Sequence, residues 1–301
     1  MPIARCSPSR WDPRLQIHLC VLLWGFTAIL GKLISLGALP LVFWRMAIVA
    51  GCLALWPPVR RGVAGVPARQ IAAAFGVGLL VTVHWLCFYG AIKLANASVA
   101  ATCMGLAPVF LSIIEPLLFG RPFAPRELWL ALAAIPGIAL VVGGIPAAMQ
   151  SGFWLGALAA LLASVFAALN KRLSTEIPAL ALTAVEMGAG VVLLGALVPV
   201  WPLLGAHFEL PGPADAGWLL VLALACTLFP FALSLVALRR LSVFSAQLAV
   251  NLEPVYAVVL AALLLGESRE LGLAFYLGVA IILGSVFGGT LRQGTAKGRH
   301  G

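Results

Sequence analysis

The chain has 301 residues, of which 62% are hydrophobic and 10% charged, with a mean hydropathy of +1.09. Ordinary soluble domains carry about 25% charged residues, so this composition excludes a soluble globule and points to a polytopic membrane protein. The net charge of +9 raises nucleic acid as a partner. The arginines, however, flank apolar runs instead of gathering on one face, so they are assigned to membrane topology and no nucleic-acid partner is expected.

Met1–Arg14 is basic and leads into an apolar run, as a signal peptide does. That run, Ile17 to about Leu36, is too long for a signal core and lacks a small-x-small cleavage site, so it is read as a retained first span. A membrane helix needs about 20 mainly apolar residues. Ten segments qualify: 17–36, 40–57, 70–92, 97–119, 127–145, 153–171, 179–202, 217–238, 242–265 and 271–291. The longest connection, 205–217, is too short for a separate soluble domain. The six cysteines form no C-x-x-C pair and lie mostly inside spans, where they read as small apolar filler; no metal site and no cofactor is expected.

Fifteen Lys and Arg residues fall on the side of the termini and three, Lys32, Lys93 and Arg269, on the other, with Arg45 inside the second span. The excess places both termini in the cytoplasm. Ala91–Arg121 aligns without a gap to Ala237–Glu267 at an offset of 146 residues. Leu106, Pro108, Leu117, Leu118 and Gly120 recur as Leu252, Pro254, Leu263, Leu264 and Gly266. Such a self-match marks an internal duplication. With five spans per half the halves are opposite in orientation, so the expected fold is all-α, ten transmembrane helices in two inverted five-helix repeats, 1–150 and 151–301.

Several short motifs add to the duplication. They are Trp24-Gly25-Phe26 with Lys32, Phe43-Trp44-Arg45-Met46, Ala91-Ile92-Lys93 leading into Leu106-Ala107-Pro108-Val109-Phe110, Asn170-Lys171-Arg172, and Leu252-Glu253-Pro254-Val255-Tyr256 running to Gly266-Glu267. In this order they resemble the EamA-type family of the drug/metabolite transporter superfamily over nearly the whole chain. The resemblance implies a carrier with a central cavity lined by spans 1–4 and 6–9, spans 5 and 10 lying at the periphery. It also implies export of small metabolites, often amino acids. His84-Trp85 and Glu115-Pro116 depart from the commoner family pattern.

A charge near the bilayer centre costs at least about 2.5–3.5 kcal/mol, which makes intramembrane ionisable residues candidates for function. Glu253 precedes Pro254 at a helix break; it binds a substrate amine or carries a coupling proton, or else it stabilises the helix start. Pro108 and Pro254 are read as the two hinges. Arg45 and Glu186 occupy corresponding points of spans two and seven, each followed by Met, and are expected to pair, either structurally or as a site for a zwitterion. Exchanging both charges is then expected to restore what either single change loses. Glu115 is expected to pair with Arg121 or Arg126. His84, Trp85 and Tyr89 share about one and a half turns of span three, as substrate or proton-relay groups or as packing between helices. Trp24 and Tyr256, with Phe26 and Trp44, form an aromatic wall or an interfacial belt. Gln247 and Asn251 share one face of span nine and suit a polar substrate or helix–helix bonding. Gly284-x-x-x-Gly288 offers a close-packing face, within the monomer or in a homodimer.

No phosphate-binding G-x-x-x-x-G-K-[ST], H-E-x-x-H or G-x-S-x-G is present, so no catalytic residues are assigned and the chain is not read as an enzyme. The expected function is secondary transport of a small polar metabolite, first an amino acid or related amine, in the export direction across a bacterial-type inner membrane. The alternatives are a non-transporting helper or receptor subunit and, behind it, a membrane-embedded enzyme.

Overall fold

The computed structural model describes residues 12–120, 122–123, 125–238, 249–250 and 252–297. Among them every regular element is helical. In chain order these are α1 (Pro13–Leu33), α2 (Ala38–Leu55), α3 (Pro57–Ala64), α4 (Ala68–Leu94), α5 (Ala97–Met104), α6 (Ala107–Phe119), α7 (Pro125–Gly143), α8 (Gln150–Leu173), α9 (Ala179–Leu197), α10 (Pro213–Leu220), α11 (Phe229–Leu238), α12 (Glu253–Leu260) and α13 (Leu273–Lys297).

Among the described residues, seven stretches are long and apolar enough to cross a membrane: Pro13–Leu33, Ala38–Leu55, Ala68–Leu94, Ala97–Phe119, Ala147–Leu173, Ala179–Leu204 and Pro213–Phe231. Three further apolar stretches, Leu132–Gly143, Glu253–Leu265 and Leu273–Ser285, are shorter and fall inside the expected fifth, ninth and tenth segments. The structure adds one short helix that hydropathy does not show, α3, which starts on Pro57 in the connection after α2.

The expected fourth span is two helices. Cys103 O accepts from Leu106 N at 2.9 Å, a tight turn that closes α5, and α6 restarts at Ala107 with Pro108 in its first turn. Proline has no N–H and its fixed φ suits a helix start, so it opens α6 instead of kinking a continuous helix. The same geometry recurs one repeat later. Ala249 O accepts from Leu252 N at 2.9 Å, and Pro254 sits in the first turn of α12. Leu106 and Leu252, the residues before the two starts, have matching backbone angles, φ −82 in both. The repeated Leu-Leu-x-Gly also has one meaning in both places. Leu117, Leu118, Leu263 and Leu264 are exposed, and Gly120 and Gly266 end their helices at φ 63 and 68, a left-handed turn that glycine adopts without strain.

Between α10 and α11 the chain takes a π-helical course over Val221–Leu228. Pro230 lies just beyond and cannot supply an N–H to the ordinary ladder, which accounts for the wider turn before it.

Helix α13 packs along α7, with Gly137 and Gly278 face to face. A Cβ at Gly278 would come within 2.6 Å of Gly137 O, whereas one at Gly284 would meet nothing within 4 Å. The close-packed face of α13 within the chain is therefore at Gly278. Gly284 is exposed, and the packing around Gly288 lies outside the described residues. Gly278→Val is expected to destabilise the purified protein by about 1–3 kcal/mol through overpacking. Gly284→Val should leave the thermal unfolding midpoint of the monomeric protein unchanged, and equal effects of the two changes on the monomer would contradict this packing.

Candidate functional site

A cavity of about 470 Å³ lies among the helices. Residues from α1, α2, α4, α5, α6, α8, α9, the π segment, α11 and α12 line it. Among the described residues none comes from α7, and α13 contributes Leu283 alone. The volume is that of a small-molecule pocket. Its walls are mostly apolar, interrupted by Arg45, His84, Asn170, Glu186, Thr227 and Glu253.

The helix breaks place backbone polarity here. Pro108 and Pro254 offer no N–H to the carbonyls four residues earlier, those of Met104 and Val250, and both of these residues line the cavity. In a bilayer, irregular backbone is tolerated where it faces protein or a wet cavity. Glu253 opens α12, is half-buried and lines the cavity, with no hydrogen-bond partner among the described residues. Gly25 lets α1 come close at this point: a Cβ there would lie 3.2 Å from Ala257 N and 3.6 Å from Glu253 O.

Arg45 is buried in the wall. Its Nε donates to Thr227 Oγ1 at 3.0 Å and its Nη1 to Tyr89 Oη at 2.6 Å. Its Cζ lies 3.7 Å from the centroid of the Trp85 ring, a cation–π contact. Tyr89 is fully buried behind Arg45 and is absent from the cavity lining. Thr227 belongs to the π segment, and its hydroxyl donates to Leu222 O, five residues back, at 2.7 Å.

Glu186 lies beside the side chain of Asn170, and among the described residues its Oε1 is buried without a hydrogen-bond partner. The expected Arg45–Glu186 pair does not form, and helix register gives the reason. Each is the eighth residue of its helix, α2 and α9. These helices run antiparallel, Met46 packing on Gly190 and Phe43 on Gly195. Arg45 therefore lies level with residues 191–192, about 8 Å along the axis from Glu186 at 1.5 Å per residue. The carboxyl within electrostatic reach of Arg45 is Glu253.

His84 Nδ1 is 2.7 Å from Ala159 O. A carbonyl only accepts, so Nδ1 carries the proton there. The ring lies against Phe88 and Phe166, with centroids 6.3 and 5.2 Å away. Trp24 lines the cavity, whereas Tyr256 does not: its hydroxyl is 3.3 Å from His18 Nδ1. Gln247 and Asn251 lie outside the described residues. Glu115 accepts from Lys171 Nζ at 2.7 Å; Arg121, one of its expected partners, is likewise outside the described residues. Spacing gives no signal for Thr227, which lies in an apolar span; Asn170 stands in the Asn170-Lys171-Arg172 motif but not among the candidate site residues.

The two ends of the bundle differ. Toward the 174–178 turn the cavity reaches Asn170 and Thr183. At the other end the Asp215 carboxylate accepts from Ser35 N at 2.9 Å and from Ser35 Oγ at 2.5 Å, and Lys93 Nζ donates to Ile34 O. Glu267 accepts from Ala97 N and Ser98 N at 2.9 and 2.7 Å, capping α5, while Asn96 Nδ2 reaches Glu270 at 3.1 Å. Asp215, Glu267 and Glu270 come from the second half of the chain and bond to the first half, so this end is closed by bonds between halves.

The EamA-like transporter family model matches residues 15–143 and again 150–290. The chain belongs to the EamA-like transporter family. Among solved structures, one described only as "Crystal structure of protein" is 19% identical, covering 94% of this chain and 99% of that chain at a TM-score of 0.62. That likeness shows the fold alone. No curated protein matches the chain. Membership makes this a membrane transporter of the drug/metabolite type, in which the cavity, with charges of both signs on its wall, is the candidate substrate site.

Because Arg45 and Glu186 are separated along the axis, the double exchange Arg45→Glu with Glu186→Arg is expected to yield no more folded protein than either single change. Recovery of a monodisperse peak on gel filtration by the double variant would show that they pair.

Proposed function

We propose that the chain is a secondary active transporter that moves a small polar metabolite by alternating access. Amino acids and related amines are the first class, and the direction is export. It spans a bacterial-type inner membrane ten times, as inverted repeats 1–150 and 151–301, with both termini in the cytoplasm. The driving force is a proton gradient or exchange, and no cofactor takes part.

The observation that carries this reading is a cavity of about 470 Å³ whose mostly apolar wall carries, among the described residues, one cation and two carboxyls. Intramembrane charges are retained where a substrate or ion passes. The matching helix starts at Pro108 and Pro254 support a duplicated architecture with hinges at corresponding points. Bonds between the halves at one end, opposite a cavity that reaches the other, suit a carrier in one of its two states. The fifteen-to-three distribution of basic residues makes the end at the 174–178 turn cytoplasmic. Among the candidate site residues, Glu253, Glu186, Arg45, His84, Trp85 and Trp24 meet at the cavity. Gly284, exposed on α13, is the surface on which a homodimer contact is proposed.

Counterflow in proteoliposomes, with a panel of labelled amino acids and amines, tests this reading. The wild-type protein is expected to accumulate at least one compound, and Glu253→Gln to lower that uptake by about tenfold or more at unchanged protein yield. Absence of uptake of every compound by folded protein would contradict it and favour a non-transporting subunit.

A further inference from the structure

Arg45 lacks the counter-ion that its burial calls for. It is 4% exposed, and both of its hydrogen-bond partners, Thr227 Oγ1 and Tyr89 Oη, are neutral. A guanidinium has five N–H donors, so three remain after those two bonds. Among the described residues no carboxylate forms an ion pair with it; the pair present is Lys171–Glu115. Glu253 is within electrostatic reach but not bonded, and Glu186 lies beside Asn170. No nitrogen of Arg45 is a buried atom without a partner, so the remaining donors open onto the cavity; a charge this deep with no counter-ion in contact is costly. The missing partner is an anion that enters by the cavity, because the cavity is where Arg45 is reached.

The neighbours of Arg45 hold it ready for such a partner. Trp85 covers one face of the guanidinium plane. Thr227 spends its single hydroxyl proton on Leu222 O, so it only accepts from Arg45 and fixes the Nε edge. Thr227 belongs to the π segment, which thereby takes part in holding Arg45. Tyr89 fixes Nη1. What remains is a planar fork with its partly uncommitted end, the geometry that takes a carboxylate through two parallel bonds.

We propose that Arg45 is the group that recognises the substrate's carboxylate, with Tyr89, Thr227 and Trp85 as positioning residues. This deepens the transporter reading and rests on it. The ligand is a zwitterion: its carboxylate meets Arg45 and its ammonium lies toward Glu253. A phosphate is disfavoured because its second negative charge would face Glu253 and Glu186 across a low-dielectric cavity. The carboxylate is therefore the required element, and a simple amine is not a substrate.

Varying the ligand against the unaltered protein tests this without any folding risk. Equilibrium binding to detergent-purified wild-type protein is measured for the standard amino acids, their α-amides and the corresponding decarboxylated amines. The amino acid that binds best is expected to bind about tenfold or more tightly than its amide or amine, the loss of one charged hydrogen-bonded pair. Equal binding of amide or amine would overturn the carboxylate assignment and leave the transporter reading standing. Binding by none of the three sets would overturn both. Arg45→Lys keeps the charge but not the fork, and is expected to abolish the preference for acid over amide. Tyr89→Phe leaves the guanidinium in place; it is expected to raise KM and narrow that preference, with kcat little changed. A Tyr89→Phe protein with reduced yield but an unchanged preference would show that the hydroxyl is structural only.

Discussion

In hydrocarbon every backbone N–H and C=O must find a partner inside the protein, and this one requirement shapes the bundle. Helices can therefore be interrupted only where they face other protein or a hydrated cavity. The chain is interrupted at Gly105–Leu106, before α12 and along Val221–Leu228, and residues from all three places line the same cavity. Each interruption goes with a proline at 108, 254 or 230. The prolines do not merely bend helices; they decide where polar backbone is released and hence where a polar ligand is received.

Charge placement follows from those interruptions. Arg45 is held by a threonine of the π segment, and Glu253 stands on the first turn of the helix that Pro254 opens. The cation and the carboxyl nearest it in electrostatic terms thus come from opposite halves of the chain, each fixed by an irregular backbone element. Glu186 keeps a separate station with Asn170, deeper toward the 174–178 turn. Gly78 helps to fix that station: a Cβ there would fall 2.6 Å from the backbone Glu186 O, so α4 and α9 pack backbone to backbone here because the residue is glycine.

Much of this was legible in the sequence. The repeat around Pro108 and Pro254 marks two positions with the same geometry, and the doubled Leu-Leu-x-Gly marks exposed leucines before a left-handed glycine. Hydropathy locates most of the helices, and the rarity of intramembrane charge picks out Arg45, Glu186 and Glu253. What a one-dimensional pattern does not carry is register between helices. Arg45 and Glu186 look like partners because they hold the same position in their helices, yet antiparallel packing moves them apart by about 8 Å. Thr227 is invisible because it lies in an apolar span, and its bond to Arg45 is made from the π segment. Tyr89 and Tyr256 share an aromatic look with Trp85 and Trp24, but one lies behind Arg45 and the other bonds His18.

The account depends on the cavity being the path of the substrate. Ala167 is exposed and lines it. The most direct test is to place a cysteine there, Ala167→Cys, in a chain whose native cysteines are replaced, and to measure labelling by a membrane-impermeant maleimide in sealed vesicles of each orientation. The predicted result is labelling from the side of the 174–178 turn, slowed by the transported compound. Equal labelling with and without that compound, or labelling from neither side, would contradict the account.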